Sequence, residues 1–215
     1  MSQEKWVDVL PGLVEVWQAD EKISDIADEE IADLERVLKP LGLVPRVSAR
    51  PKSNSGLMAK LAEKRGSVQD ITDILGIRMV FKNKPDLVRA QRAIEDHYRN
   101  RCIVDDKAFD LELNEVGYLS VHLQVSSTDL DIGGEPFSFE LQLRTILQDA
   151  WAENEHRFYK SPLNDDLRRR LNLLSAQLEA ADNTLEDLLR LHLSLLDPQF
   201  VDQLLWYKLA THYAR

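Results

Sequence analysis

Apolar and polar residues alternate along two stretches of the chain, and elsewhere apolar residues recur at three- and four-residue steps. Both rules appear in turn in FELQLRTILQDAWAENEHRFYK, Phe139 to Lys160. Phe137, Phe139, Leu141 and Leu143 fall on one side of a period-two strand; from Ile146 the period turns helical to about Tyr159, and Pro162 marks the stop. The other side of that strand carries Ser138, Glu140, Gln142 and Arg144, which sets an acid, an amide and a guanidinium in a row. Tyr118 to Val125 alternates in the same way, with Leu119, Val121, Leu123 and Val125 on one face and Tyr118, Ser120, His122 and Gln124 on the other. Ser127 to Pro136, with its Gly133-Gly134 pair, reads as the loop of a long-looped hairpin joining the two.

Ile74 to Phe81 is a β-rich apolar run interrupted by Gly76 and Arg78, and it reads as a central strand. Helices are expected over Met1 to Gln18, with an interruption at Pro11-Gly12, and over Ser24 to Leu38, where Lys39-Pro40-Leu41-Gly42 breaks the pattern. Val44 to Ala49 reads as a short strand, and Ser53 or Ser55 can cap a helix running through Lys64 to Gly66. Pro85 suits a first helical turn, after which Leu87, Ala90, Ala93 and Ile94 mark one apolar stripe to about Asn100. Asp165 to about Leu189 and Pro198 to Tyr213 complete the set. The order is helices, mixed sheet, helices. It predicts an α+β fold, a mixed β-sheet flanked by helices with a C-terminal helical extension. The divisions expected are 1–43 for the N-terminal helices, 44–162 for the core and 163–215 for the extension.

Composition narrows the function. A chain of 215 residues with 44% hydrophobic content can bury one core, and a single cysteine, Cys102, excludes an internal disulfide or a cysteine-rich zinc site. No apolar run approaches the roughly 18 residues of a bilayer span, and no charged-then-apolar leader opens the sequence, so a cytoplasmic location without membrane partners is expected. The net charge of -10 repels polyanions on average. Against that background Arg46, Arg50, Lys52, Lys60, Lys64 and Arg65 form a basic segment with only Glu63 opposing them. The polar faces of the two alternating strands together offer a stacking ring, donors, acceptors and a carboxylate, the equipment of a polar ligand cradle. Asp73 adds a second carboxylate at the mouth of the central strand. Two carboxylates with substrate phosphates and water suit Mg²⁺, although a lone Asp in Asp70-Ile71-Thr72-Asp73 also fits a turn or a helix cap. Trp151, Phe158 and Tyr159 are assigned to the core, and His97, His156, His192 and His212 show no metal-ligand spacing.

Five ordered blocks carry a resemblance: SARPKS at Ser48 to Ser53, DILGIRMVF at Asp73 to Phe81, GYLSVHLQV at Gly117 to Val125, FELQLRT at Phe139 to Thr145 and WAENEHRFYK at Trp151 to Lys160. Together they resemble the synthetase domain of the RelA/SpoT alarmone family, a nucleotidyltransferase-like fold, and the length resembles its small stand-alone members. No His-Asp doublet of the hydrolase half occurs. The resemblance implies transfer of the β,γ-pyrophosphate of ATP to the 3′-hydroxyl of GDP or GTP. It implies that Asp73 binds Mg²⁺ and that Glu140 acts as base or second metal contact. Arg50, Lys52, Arg78 and Lys60 would then serve ATP, while Tyr118, stacked on the acceptor base, His122, Gln142 and Arg144 would serve the acceptor nucleotide. Related small synthetases assemble through C-terminal helices, so the apolar face of Leu171, Leu174, Leu178, Leu185, Leu188 and Leu189 implies a homo-oligomer.

Two departures weigh on the acceptor. Family members commonly carry a basic residue shortly before the Gly-Tyr pair, whereas Leu113-Asn114-Glu115-Val116 precede Gly117, and Gly56 replaces a serine after the basic motif. Two further readings therefore stay open: a toxin-type relative acting on adenine nucleotides or the 3′ end of tRNA, and an inactive nucleotide-binding regulator. The acidic net charge counts modestly against tRNA, and the presence of both Asp73 and Glu140 counts against the regulator.

Overall fold

The structure, a computed structural model, describes residues 20–52, 74–99, 102–105, 120–132, 135–158 and 164–196. Within them a five-stranded mixed sheet runs in the order β1-β2-β5-β4-β3. Its strands are β1 (Arg46–Pro51), β2 (Leu75–Phe81), β3 (Cys102–Asp105), β4 (Val121–Ile132) and β5 (Glu135–Thr145). The central pair, β2 and β5, is parallel; β1 lies antiparallel to β2, and β4 to both β5 and β3. Four α-helices accompany the sheet among the described residues, α1 (Asp20–Leu38), α2 (Lys84–His97), α3 (Ile146–Phe158) and α4 (Asp165–Leu196), with a short 3₁₀ helix, Lys39–Leu41, after α1.

One face of the sheet is dry. Leu75, Ile77 and Met79 of β2, Phe139, Leu141 and Leu143 of β5, and Val121, Leu123 and Val125 of β4 join a single buried cluster with residues of α1 and α2. The helices contribute Ile23, Ile26, Ala27 and Leu34 from α1 and Leu87, Ala90 and Ile94 from α2. Period two in the strands and a stripe in each helix meet, because burying those side chains is the largest favourable term available to the chain. Tyr98, fully buried after α2, sets its ring edge-on to Phe139 at 6.3 Å and donates its hydroxyl to Glu30 of α1. The polar tip of an aromatic in the core is thereby satisfied.

Helix ends follow local chemistry. Asn83 caps α2, its side-chain oxygen accepting from the Asp86 amide at 2.9 Å, with Pro85 in the first turn. Asn164 caps α4 through the Leu167 amide at 2.8 Å. The turn after α1 closes at Gly42, whose φ of 67° is left-handed backbone that glycine adopts without a Cβ penalty. Thr145 and Gln148 make a reciprocal box at the start of α3: the Thr145 amide donates to Gln148 Oε1 and the Gln148 amide to Thr145 Oγ1. Thr145 Oγ1 in turn donates to Asp182 of α4, a buried link between the two helices. A second apolar cluster, Trp151 and Leu171 with Leu147, Leu167 and Leu178, packs α3 on α4.

The architecture is the α+β arrangement expected, and several boundaries move. Ser127 to Pro136 is not a loop: β4 continues to Ile132 and β5 begins at Glu135, with an irregular register between Ser126 and Asp131. Backbone pairing sustains this hairpin arm without the alternation that a buried face imposes on sequence. β3 has no counterpart in the sequence reading, and α4 extends past Leu189 to Leu196. Trp151 is buried as assigned, but Phe158, at the end of α3, is exposed. The helices expected over 1–18, 53–64 and 198–213 lie outside the described residues, as does Tyr159.

Leu141 stands at the centre of the dry face with no exposed surface. Leu141→Ala should lower unfolding free energy by about 2–5 kcal/mol, read as a reduced denaturation midpoint at unchanged slope. A loss below about 1 kcal/mol would mean that this face is not the core.

Candidate active site

The opposite face of the sheet is built in cross-strand rows. In the first, Arg50 of β1 pairs with Gly76 of β2, Gly76 with Glu140 of β5, and Glu140 with Gln124 of β4. In the second, Ser48, Arg78, Gln142 and His122 follow one another in the same order. A third row runs Arg46, Val80, Arg144. Gly76 leaves the first row without a side chain between Arg50 and Glu140. A Cβ there would lie 3.6 Å from the Arg50 carbonyl oxygen, an ordinary contact, so backbone strain does not demand glycine; open floor on the polar face is what it provides.

Three arginines converge on one carboxylate of α3. Arg46 Nη2 donates to Asp149 Oδ2 at 2.6 Å, and Arg78 Nη1 and Arg144 Nη1 lie 3.3 and 3.5 Å from Asp149 Oδ1. Arg78 also donates to Glu153, one turn further along the helix. Asp149 and Arg144 are buried, whereas Glu153 faces water. Burial, with the neighbouring Arg78 charge, pushes the Arg144 guanidinium below its ordinary value, while Asp149 opposes that shift. The Arg78 hydrogen bond and charge hold the Glu153 carboxyl below its usual range.

A second set of contacts surrounds Glu140. Gln142 Nε2 donates to Glu140 Oε2 at 2.7 Å, and Arg144 Nη2 donates to Gln142 Oε1 at 3.0 Å. On the other side, His122 Nδ1 lies 3.1 Å from Glu140 Oε1, and His122 Nε2 meets the Ser120 hydroxyl at 2.8 Å. The strand positions 140, 142 and 144 lie on one face because side chains repeat every second residue.

Of the residues singled out in the sequence, Glu140, Arg78, His122, Gln142 and Arg144 come together here, and Arg50 and Lys52 belong to the β1 edge beside them. Arg50 is exposed and Lys52 half-buried. Asp73, Lys60 and Tyr118 lie outside the described residues. Asp149 and Glu153 were not singled out by the sequence reading. Their signal is an acid pair four residues apart, hence on one helical face, in the helix that directly follows the strand ending in Arg144-Thr145.

Among the described residues no group of three His, Cys, Asp or Glu side chains gathers as a metal cage. Mg²⁺ needs none, being commonly held by one or two carboxylates with substrate phosphates and water. The partly buried Glu140 carboxylate fits such a role.

Removing Asp149 leaves the buried Arg144 charge without its carboxylate, and Arg46 and Arg78 lose a shared partner. Asp149→Ala should therefore cost about 3–5 kcal/mol of stability, the scale for breaking a buried pair from one side. Glu153→Ala should cost under about 1 kcal/mol, since solvent screens that pair. Because the Glu153 pKa is lowered, its small contribution is present above the ordinary carboxylate range and fades as pH falls through the lowered value. Denaturant titrations of both variants at neutral and acid pH check the order. Equal losses for the two would contradict it.

Comparison with known proteins bears on the same region. Residues 49–163, more than half of the chain, match the family described as "Region found in RelA / SpoT proteins". The chain is 29% identical over 135 residues to GTP pyrophosphokinase YwaC of Bacillus subtilis strain 168, a stretch covering 60% of this chain and 63% of that relative's length. Its fold is similar to that of the small alarmone synthetase 2 of Bacillus subtilis, with a TM-score of 0.67, 21% identity, and coverage of 80% of this chain and 97% of the other. The small alarmone synthetase 1 of the same organism, in a structure bound to its product pppGpp, gives a TM-score of 0.63 at 21% identity over 77% of this chain and 92% of that one. With more than half of its length matching that family, the chain belongs to the RelA/SpoT proteins.

Proposed function

We propose that the protein is a nucleotide pyrophosphokinase that transfers the β,γ-pyrophosphate of ATP to the 3′-hydroxyl of GDP or GTP, releasing AMP. The observation that carries this reading is the placement of the Glu140 carboxylate across the side-chain-free floor of Gly76 from Arg50, with Arg78 in the adjacent row. A carboxylate aimed beside guanidinium groups suits a reaction in which a hydroxyl loses its proton while phosphoryl oxygens gain charge. Family membership, and the name of the relative from Bacillus subtilis, support the same chemistry.

In the proposed reaction the acceptor's 3′-oxygen attacks the β-phosphorus of ATP, a new phosphate ester forms, and the bond from that phosphorus to the oxygen bridging the α- and β-phosphates breaks. AMP takes that oxygen as it leaves. Glu140 accepts the hydroxyl proton and returns it to solvent. Arg50 and Lys52, on the β1 edge, together with Arg78 and Lys60, neutralise the ATP phosphates. Tyr118 offers its ring to the acceptor base. Glu140 and Asp73 would hold Mg²⁺, which supplies charge neutralisation at the β- and γ-phosphate oxygens when bound. A homo-oligomer is proposed with this reading, since Leu174, Leu185 and Leu188 of α4 are exposed.

The reading is tested by incubating the protein with labelled ATP and, separately, GDP, GTP, AMP, ADP, ATP and tRNA. AMP release coupled to labelled ppGpp or pppGpp is expected. Label appearing on an adenine nucleotide or on tRNA instead would replace the acceptor, and no transfer to any of them would overturn the enzyme reading.

Two substitutions sharpen it. Glu140→Gln keeps shape and strand pairing while removing the charge, so melting temperature should hardly change and AMP release should fall by about 10²-fold or more. Turnover within a few-fold of the parent would remove Glu140 from the chemistry. Tyr118→Ala should weaken acceptor use by about 1–3 kcal/mol, the scale of base stacking on an aromatic ring, and leave ATP use nearly unchanged. Equal losses for both substrates, measured by steady-state kinetics, would take the ring off the acceptor.

A further inference from the structure

The contacts of Glu140 carry a directional message that a list of site residues does not. A guanidinium has donors only, and a glutamine amide has one accepting end and one donating end. Arg144 Nη2 lies 3.0 Å from Gln142 Oε1, so the accepting end of Gln142 must face Arg144. The donating end is then turned to Glu140 Oε2, at 2.7 Å. Without a donor at residue 144 the amide could rotate by half a turn and set its oxygen against the carboxylate, which would repel it.

We propose that Gln142 and Arg144 act on the reaction through Glu140 and not as ligands of the acceptor nucleotide: they are positioning residues that aim its carboxylate, with His122 bracing the opposite oxygen. This rests on the reading of Glu140 as the group that takes the proton. Arg144 suits the role because it is 8% exposed, so little of it is open to a ligand. It is also held from a different element, by Asp149 of α3 at 3.5 Å. The strand repeat places 140, 142 and 144 in line, and the buried end of that line is the fixed one. His122 Nδ1 meets the other carboxylate oxygen at 3.1 Å, while the Ser120 hydroxyl at 2.8 Å engages its second ring nitrogen and holds the ring in place. Each oxygen of Glu140 is thereby held by a different side chain, and the carboxylate is kept from turning about its own bond. Misplacement of a reacting group by an ångström costs up to about 100-fold in rate, so the effect expected is on turnover.

The experiment compares the parent with Gln142→Met, Arg144→Met and Arg144→Lys, each alone and with Glu140→Gln, by steady-state kinetics of AMP release. Gln142→Met and Arg144→Met should lower kcat by about 10- to 100-fold with KM for ATP and for the acceptor nucleotide within about two-fold. Arg144→Lys, which returns a donor to Gln142 Oε1, should recover most of the loss. In the Glu140→Gln background neither loss should recur, since the carboxylate being aimed is gone. Gln142→Met carries the test alone if Arg144→Met does not fold. A tenfold rise in acceptor KM at unchanged kcat, or losses that multiply with Glu140→Gln, would make these residues nucleotide ligands and overturn the proposal. A second measurement is independent of activity: in ¹⁵N-glutamine-labelled protein without nucleotide, the Gln142 side-chain amide signals should shift in both Glu140→Gln and Arg144→Lys. Unmoved signals would overturn the proposal whatever the enzyme's reaction. A parent that releases no AMP with any acceptor, while those signals shift as expected, would sink the pyrophosphokinase reading and leave the aiming of Glu140 standing.

Discussion

Three strands each carry an arginine on the polar face, and a helix answers them with one buried acid. Arg46 of β1, Arg78 of β2 and Arg144 of β5 would repel one another across adjacent strands, where the effective dielectric is low and like charges are costly. Asp149 makes the arrangement tolerable, and in doing so ties the start of α3 to the sheet. The position of α3 then fixes Trp151, whose burial against Leu171 seats α4. The polar face and the helical extension are thus held through one electrostatic knot, although their apolar contacts belong to separate clusters.

The same knot separates two kinds of arginine. Arg144 is enclosed by protein and directed at Asp149 and Gln142 rather than at solvent. Arg50 is exposed on the β1 edge and remains accessible to a ligand. A basic segment read only as a count of charges conceals this difference, because sequence gives sign and spacing but not depth. Burial is what decides whether a guanidinium can bind phosphate or must serve the fold.

Much of the sheet is legible in the sequence where one face is dry. Val121, Leu123 and Val125, and Phe139, Leu141 and Leu143, alternate because every second side chain enters the core. β3 is not legible: four residues are too few to show a period. The far half of the β4–β5 hairpin is not legible either, since Ser127-Thr128-Asp129 carries turn chemistry in one context and lies within a strand in another. In the candidate site, Glu140, Gln142 and Arg144 stand out as a row by alternation alone, yet what each one faces depends on Asp149, which lies on a helix whose approach no local pattern encodes. Asp73, Lys60 and Tyr118 rest on the motif resemblance.

The strand order also leaves β1 at one border of the sheet among the described residues. The Lys52 amide donates to the Ile74 carbonyl at 2.8 Å, so the backbone at 52 faces β2 and the backbone at Pro51 faces away. Proline has no N–H to offer on that outer side, and Arg46 and Arg50 add positive charge along it. Such a border discourages the addition of a strand from another chain. The guanidinium at Arg50 therefore serves colloidal safety besides the phosphate role proposed for it: an uncharged replacement would change how the protein behaves when crowded.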